Sequence, residues 1–361
     1  MVRYGIIGSG MMAQEHMRNL AMIEGAEVTG IADPDERMRI AAGKIAPDAA
    51  SFADYKELLS TDLCDAYLIA GPNDLHHQMM QDVLPTGKPI LCEKPLCTTS
   101  QDCRDIMAKA EGRVAPVWVA MEYRFMPPAQ RLLAEVANGT IGTPRMFAIR
   151  EHRYPFLSKV GNWNRFSDRT GGTMVEKCCH FWDLMRLVLQ SDPVRVYCSG
   201  AMDVNHVDET YDGRAPDIID NAFAVIDFAN GARGMLDLCM FAEAAYWQEL
   251  LTVSGEKGRI EARIPGPARL AADHETHHAE IGIADRATGL EKSETIEVDE
   301  EILLAGDHHG STYYQHKKFF ELVRFGKGEP EVSLKDGLWS VIIGEAAEKS
   351  AKTGHAVDVS I

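Results

Sequence analysis

The sequence predicts a chain of two parts: a doubly wound α/β domain with a parallel sheet over residues 1–125, and an α+β domain with a largely antiparallel open sheet over residues 126–361. Three observations carry this. Short apolar runs alternate with amphipathic stretches up to about residue 120, and a glycine turn follows the first run. The pattern then changes at Pro127-Pro128, beyond which longer strands succeed one another through tight turns.

Residues 4–7, 28–32, 66–70, 90–92 and 117–120 are short apolar runs of the kind that form buried parallel strands. Between them, residues 12–22, 36–45, 55–59, 76–84 and 101–110 carry helical periodicity, so each strand is followed by a crossover helix. In the second part, residues 195–201, 222–228, 234–241 and 250–254 read as strands, with the hairpin signal Asn230-Gly231 between two of them. Residues 271–307 are acidic and weakly periodic, and read as strands and loops at the domain's edge. Residues 312–325 and 334–351 read as helices, the second able to pack back on the first domain.

Composition excludes several classes of function. With 37 basic against 54 acidic residues, the net charge of −17 repels nucleic acid and anionic membrane surfaces. There is no run of 18 apolar residues and no signal-peptide pattern at the start, so neither a membrane partner nor secretion is expected. Eight scattered cysteines without a C-x-x-C pair fit reduced thiols in a cytoplasmic protein. His274, His277 and His278 have H-x-x-H-H spacing but lack a matching carboxylate or thiol, so no metal site is expected.

The glycine turn is Gly8-Ser9-Gly10-Met11-Met12-Ala13, a G-x-G-x-x-A dinucleotide fingerprint between a strand and a helix. Its first glycine permits the turn, its second lets backbone approach a pyrophosphate, and Ala13 lets helix and strand pack closely. Asp33 ends the second strand 23 positions beyond Gly10 (33 − 10), where a carboxylate accepts hydrogen bonds from the adenosine ribose and repels a 2′-phosphate. The expected cofactor is therefore NAD. Pro72-Asn73-Asp74-Leu75-His76 and Cys92-Glu93-Lys94-Pro95 follow the third and fourth strands, at the strand ends where open α/β sheets bind ligands. Further on, Glu176 and His180 are four apart on one helix face, so Glu176 is expected to orient the imidazole, with Asp183 a second candidate.

On Gly8–Ala13, Pro72-Asn73…His76, Glu93-Lys94-Pro95, Arg124-Phe125 and Gly171-Gly172…His180…Asp183, the chain resembles the glucose–fructose oxidoreductase / inositol dehydrogenase (Gfo/Idh/MocA) family. The resemblance implies a Rossmann-type domain followed by an α+β domain, and a dehydrogenase activity. It implies that Lys94 contacts substrate and cofactor and that His180 is the acid/base, with Gly8, Gly10, Met11, Met12, Ala13, Asp33, Pro72, Asn73, His76, Glu93 and Arg124 around the cofactor. It also implies self-association as a dimer or tetramer. The chain departs from the family pattern at Glu176 (often Asp), Lys177 (usually apolar), Cys178 (often Gly) and Asn164.

Tyr123, His152, Trp163, Arg165, Lys177 and Tyr313 are the candidate substrate contacts. Trp163 either stacks on a sugar ring or anchors its loop in the core. The basic residues Arg150, His152, Arg153, Lys159, Arg165, Arg169 and Lys177 either recognise an anionic group on the substrate or pair with neighbouring acids. Oxidation of a secondary hydroxyl of a sugar, glycoside or cyclitol is the expected reaction. The same equipment also suits a redox-neutral, NAD-dependent glycosidase acting through transient C3 oxidation, or a non-catalytic NAD-binding sensor.

Overall fold

The computed structural model describes residues 1–270, 275–326 and 328–361. The first part is a six-stranded parallel sheet built from β1 (Val2–Ile7), β2 (Ala26–Ala32), β3 (Ala50–Phe52), β4 (Ala66–Ile69), β5 (Ile90–Cys92) and β6 (Val117–Val119), in the order β3-β2-β1-β4-β5-β6. Helices α1 (Met11–Ala21), α2 (Glu36–Gly43), α3 (Tyr55–Leu59), α4 (His76–Val83) and α5 (Ser100–Lys109) connect the strands. Strand order reverses at β1 and β4, and their loops meet there. Gly8 has φ +86°, and a Cβ on it would lie 2.6 Å from the backbone nitrogen of Gly71. Only glycine allows both the turn and that approach.

Between the sheets lie α6 (Pro127–Ala137), and, after β7 (Pro144–His152), the short helices α7 (Ser167–Thr170) and α8 (Thr173–Glu176) and the longer α9 (Cys179–Leu189). The second sheet adds β8 (Pro193–Ala201), β9 (Asn221–Phe228), β10 (Arg233–Cys239), β11 (Trp247–Gly255), β12 (Gly258–Pro265), β13 (Ala279–Asp285), β14 (Glu291–Ile296) and β15 (Val357–Asp358). Its order is β14-β13-β12-β11-β7-β10-β9-β8-β15, antiparallel except that β7 and β10 run parallel. The hairpin joining β9 and β10 turns at Asn230-Gly231, where the Asn230 side chain accepts from the Ala232 N–H at 3.0 Å. Phe147, Phe181, Trp182 and Met185 fill the core on one face of this sheet. On the opposite face, Met146, Tyr197, Phe223, Val225 and Met235 are exposed.

Strand alternation decides the side on which each residue of β7 falls. Phe147, Ile149 and Glu151 point into the core, so His152 points to the open face, where its ring meets Asp237 at 3.1 Å. β7 and β12 were not legible as strands, because Arg and Glu interrupt their apolar alternation. The edge region also contains a helix, α10 (Glu300–Ala305), capped by Asp299 accepting from the Glu301 N–H. His274 lies outside the described residues.

The last two helices are α11 (Ser311–Phe325) and α12 (Leu334–Thr353). α12 starts with a Ser333/Asp336 capping box and is buried along most of its length. It packs on α5 and β6 of the first part and on α8, α9 and β8 of the second. A Cβ at Gly344 would sit 2.7 Å from the Met174 carbonyl oxygen, so the helix backbone lies directly against α8. Gly344→Val is expected to cost about 1–3 kcal/mol of stability through this overlap, read as a lower urea midpoint. Ser333→Ala is expected to cost about 1 kcal/mol in the same measurement.

Candidate active site

A cleft of about 770 Å³ runs along the carboxyl ends of the parallel strands, from Asp33 past Gly8, Gly10 and Asn73 to Lys94. Its other wall comes from the second part, through residues 158–161, Trp163 and Arg169. The groups at the Asp33 end fit a dinucleotide. α1 begins at Gly10 with no side-chain cap, and open space surrounds the position a Cβ would take there. Its free N–H groups are thus available to phosphate oxygens. The Asp33 carboxylate is fixed by accepting the Ser9 N–H at 2.7 Å and the Asp35 N–H at 2.8 Å.

Of the expected cofactor contacts, Gly8, Gly10, Met11, Met12, Asp33, Pro72, Asn73, Glu93 and Lys94 line the cleft. Ala13 is fully buried below it, packing α1 on the sheet. His76 and Arg124 require correction. The His76 ring is buried between two loops beneath the cleft, its nitrogens 2.8 Å from the Pro95 carbonyl oxygen and 3.0 Å from that of Gly71, and as a neutral ring it donates to one of them. Arg124 is buried away from it, held by both oxygens of Asp183 at 2.5 Å and by the Glu331 carbonyl. That pair also removes Asp183 as a partner for His180.

At the far end, the Lys94 ammonium crosses to the second part and donates to the Glu176 carbonyl oxygen at 3.2 Å. Burial works against its charge, but Cys179, Glu93, Glu176 and Glu122 together outweigh burial and raise the Lys94 pKa. The glycine pair ahead of α8 explains how this helix is held. A Cβ at Gly172, where φ is +89°, would overlap the carboxylate of Glu348 on α12. With no side chain there, Glu348 reaches the α8 N-terminus and accepts the Met174 N–H at 3.1 Å.

His180 is 2% exposed and stacks on Tyr123, with ring centroids 4.2 Å apart and planes 14° from parallel. Burial, then Lys94 and Lys177, push its pKa well below the ordinary value, so the imidazole is neutral at pH 7. Its Nδ1 has no hydrogen-bond partner among the described residues. The expected orienting contact with Glu176 is not formed: Glu176 Oε1 instead accepts from Lys159 Nζ at 3.2 Å. The carboxylate facing His180 Nε2 is Glu122, at 4.0 Å. Sequence reasoning missed Glu122, His308 and Glu15 at this site. For Glu122 a signal existed, an acid inside the apolar run after β6, the same kind of signal that singled out Lys94.

The remaining candidates divide. Tyr123 and Lys177 join His180 in one buried cluster, in which Lys177 Nζ donates to the Tyr123 hydroxyl at 2.5 Å and pairs with Glu151 at 2.8 Å. Trp163 lines the cleft, with the Lys159 ammonium 4.4 Å from its ring. Three expectations are corrected. His152 faces the open side of the sheet, Arg165 is committed to Glu209 at 3.1 Å, and Tyr313 lies by Ala21 and Ile302 in a separate hollow. The basic residues are largely ion-paired: Arg153 with Glu151, Lys159 with Glu176 and Arg169 with Asp74. Burial pushes the Cys179 thiol up to about 12 and Cys178 up as well, which removes both as nucleophiles at neutral pH. Among the described residues no group of His, Cys, Asp and Glu forms a metal site. Asp33→Ala is expected to weaken NAD binding about tenfold or more through loss of charge-assisted hydrogen bonds, and to narrow the preference over NADP, both measurable by calorimetry.

Residues 2–121 match the oxidoreductase family's NAD-binding Rossmann fold, and residues 134–359 match its C-terminal alpha/beta domain. The myo-inositol 2-dehydrogenase of Thermotoga maritima is 27% identical over 360 residues, covering 99% of this chain and 98% of its own. Among solved structures, levoglucosan dehydrogenase in complex with NADH and levoglucosan aligns with a TM-score of 0.81 at 19% identity, covering 99% of each chain. An oxidoreductase from Agrobacterium radiobacter, in complex with NAD+, L-tartaric acid and magnesium, aligns at 0.80 and 18% identity over 99% of this chain and 98% of its own. The parallel sheet with its fingerprint turn, the mixed second sheet and both family matches lead to one conclusion: this chain belongs to the Gfo/Idh/MocA oxidoreductase family and carries that family's NAD-binding Rossmann domain.

Proposed function

We propose that this chain is an NAD-dependent dehydrogenase that oxidises a secondary hydroxyl of a sugar, glycoside or cyclitol. The observation that carries the reading is a charged Lys94 ammonium at the end of the dinucleotide cleft, together with a neutral, buried His180 that feels its charge and whose Nδ1 has no hydrogen-bond partner among the described residues. The substrate class is supported by the inositol and levoglucosan dehydrogenases to which the chain is similar.

NAD, when bound, supplies the two-electron acceptor. The chain's own residues do the rest. Lys94 holds the substrate oxygen and stabilises the negative charge that develops on it. His180 Nδ1 takes the hydroxyl proton, which a neutral imidazole can do at pH 7. Trp163 offers an aromatic face to the ring, and Glu176 keeps both Lys94 and Lys159 in place. We assign cofactor binding to residues 1–125, and substrate binding and self-association to residues 126–361. Self-association is supported by the apolar open face, on which Val225 lies between Tyr197 and Met235 in register and Phe223 is 63% exposed. Eight free thiols, seven of them buried, fit a reducing cytoplasm.

Lys94→Ala and His180→Ala are each expected to lower kcat by at least about a hundredfold while NAD binding stays measurable. The assay offers sugars, cyclitols and nitrophenyl glycosides, and follows NADH and nitrophenol together. NADH accumulation without aglycone release is the expected result. NAD-dependent aglycone release without lasting NADH would replace the dehydrogenase with a glycosidase, and NAD binding with neither signal would indicate a sensor. For the open face, Phe223→Asp with Val225→Asp is expected to shift sedimentation toward the monomer, while an unchanged profile would exclude this face as the contact.

A further inference from the structure

Among the described residues the His180 ring makes no hydrogen bond: Nδ1 has no partner, Glu122 stands 4.0 Å from Nε2, and the Glu176 carboxylate is taken by Lys159. An imidazole held only by its own chain can turn about its Cβ–Cγ bond unless a neighbour closes its face. Tyr123 closes it. The two rings are buried 4.2 Å apart and 14° from parallel, so turning His180 out of that plane would drive it into the phenol ring.

Tyr123 is itself pinned from the second sheet. Its hydroxyl accepts from Lys177 Nζ at 2.5 Å and donates to Glu249 Oε1 at 3.4 Å, where the Gln248 side-chain amide also donates at 2.7 Å. Lys177 pairs with Glu151 at 2.8 Å, and its ammonium stands 4.6 Å from the centre of the Tyr123 ring. Glu151 on β7 and Glu249 on β11 are direct partners across the sheet, both turned into the core. Two acids side by side in a core oppose each other unless donors stand against them. Lys177 and Tyr123 are those donors, so the register of two strands is carried up to the ring of His180.

We propose that Tyr123 is the positioning residue of the base: its ring fixes the plane of the His180 imidazole, and Lys177, anchored on Glu151, fixes Tyr123 in turn. The proposal rests on the reading of His180 as the base. It takes Tyr123 and Lys177, which are 2% and 3% exposed, out of the expected substrate contacts and places them behind the imidazole. Lys177 also acts through its charge. His180 faces Lys94 after β5, Glu122 after β6, Arg153 after β7, Lys177 ahead of α9 and His308 ahead of α11. Burial first, then Lys94 and Lys177, keep its pKa low. A phenol face by itself favours an imidazolium stacked on it, and the ammonium already at that ring opposes the gain. The stack therefore orients the ring without making it a cation.

The test uses the full-length protein. Tyr123→Leu removes the stack, whereas Tyr123→Phe keeps it without the hydroxyl. Tyr123→Leu is expected to lower kcat about tenfold to a hundredfold with KM nearly unchanged, and Tyr123→Phe to recover most of that loss. A rise in KM in both variants with kcat intact would overturn the proposal and make the hydroxyl a substrate contact. Lys177→Met is expected to move the acidic limb of the kcat profile up by about one pH unit, because His180 protonates more readily once a neighbouring cation is gone, and Lys177→Arg to move it back. An unmoved limb in Lys177→Met would overturn the part given to Lys177. A further readout needs neither turnover nor a well-folded variant of Tyr123: stacked rings displace each other's NMR resonances, and the His180 ring signals are identified by their loss in His180→Gln. Those signals are expected upfield in the wild type and at ordinary positions in Tyr123→Leu. Ordinary positions in the wild type would overturn the stack whatever the kinetics. A wild-type protein inactive on every alcohol yet showing the upfield signals would sink the dehydrogenase reading while supporting Tyr123 as the holder of the His180 ring.

Discussion

Lys94 follows a strand of the first sheet and His180 sits on α9 of the second part, and their separation depends on how α12 seats between the two parts. One side of α12 lies on α5 and β6, the side that carries Lys94; the other lies on α8 and α9, the side that carries His180. Glycine at Gly344 lets its backbone touch α8, and Glu348 holds the α8 N-terminus by hydrogen bond. This is backbone-level packing, in which displacements of a few tenths of an ångström are resisted by close-packed neighbours. The Lys94–Glu176 contact is the local expression of that seating.

Around this pair the protein buries an unusual number of charges. Glu15, Glu93, Glu122, Glu151, Glu249, Lys177 and Arg153 all lie within the interior. Burial of that kind is costly unless charges are matched. Most here are: Glu93 with His16 at 2.8 Å, Glu15 with His308, and Glu151 with Lys177. The consequence for His180 is a positive environment from Lys94 and Lys177 that adds to desolvation and keeps it neutral. Perturbed groups gathered behind Lys94, which lines the ligand cleft, mark a functional site on physical grounds, independently of any family likeness.

Much of the first domain was legible, because its signals are local. The glycine turn, Asp33 and the strand-end lysine each depend on residues close in sequence, and all of them line the cleft. The partners of His180 were not legible in that way. Glu176 is four positions away but ends α8 while His180 sits on α9, so the expected shared helix face is not formed and Lys159 takes its carboxylate; the acid that faces the ring is 58 positions earlier (180 − 122) on another element. Arg124 and His76 show the same limit: both lie in the expected motifs, but long-range partners turn them into internal ties. The face occupied by His152 was likewise set by the register of β7, a strand whose charges hid it.

The cleft wall contributed by residues 158–161, Trp163 and Arg169 bears on how such a protein can be rearranged. A dinucleotide-binding half is often regarded as a portable module. Here half of its groove is missing unless the second part is present, and the Arg169–Asp74 and Lys94–Glu176 contacts cross the same seam. Transplanting residues 2–121 into a foreign partner would thus carry away a floor without its roof. The two halves are constrained to diverge together, and a change on either side of the seam alters what the other side binds.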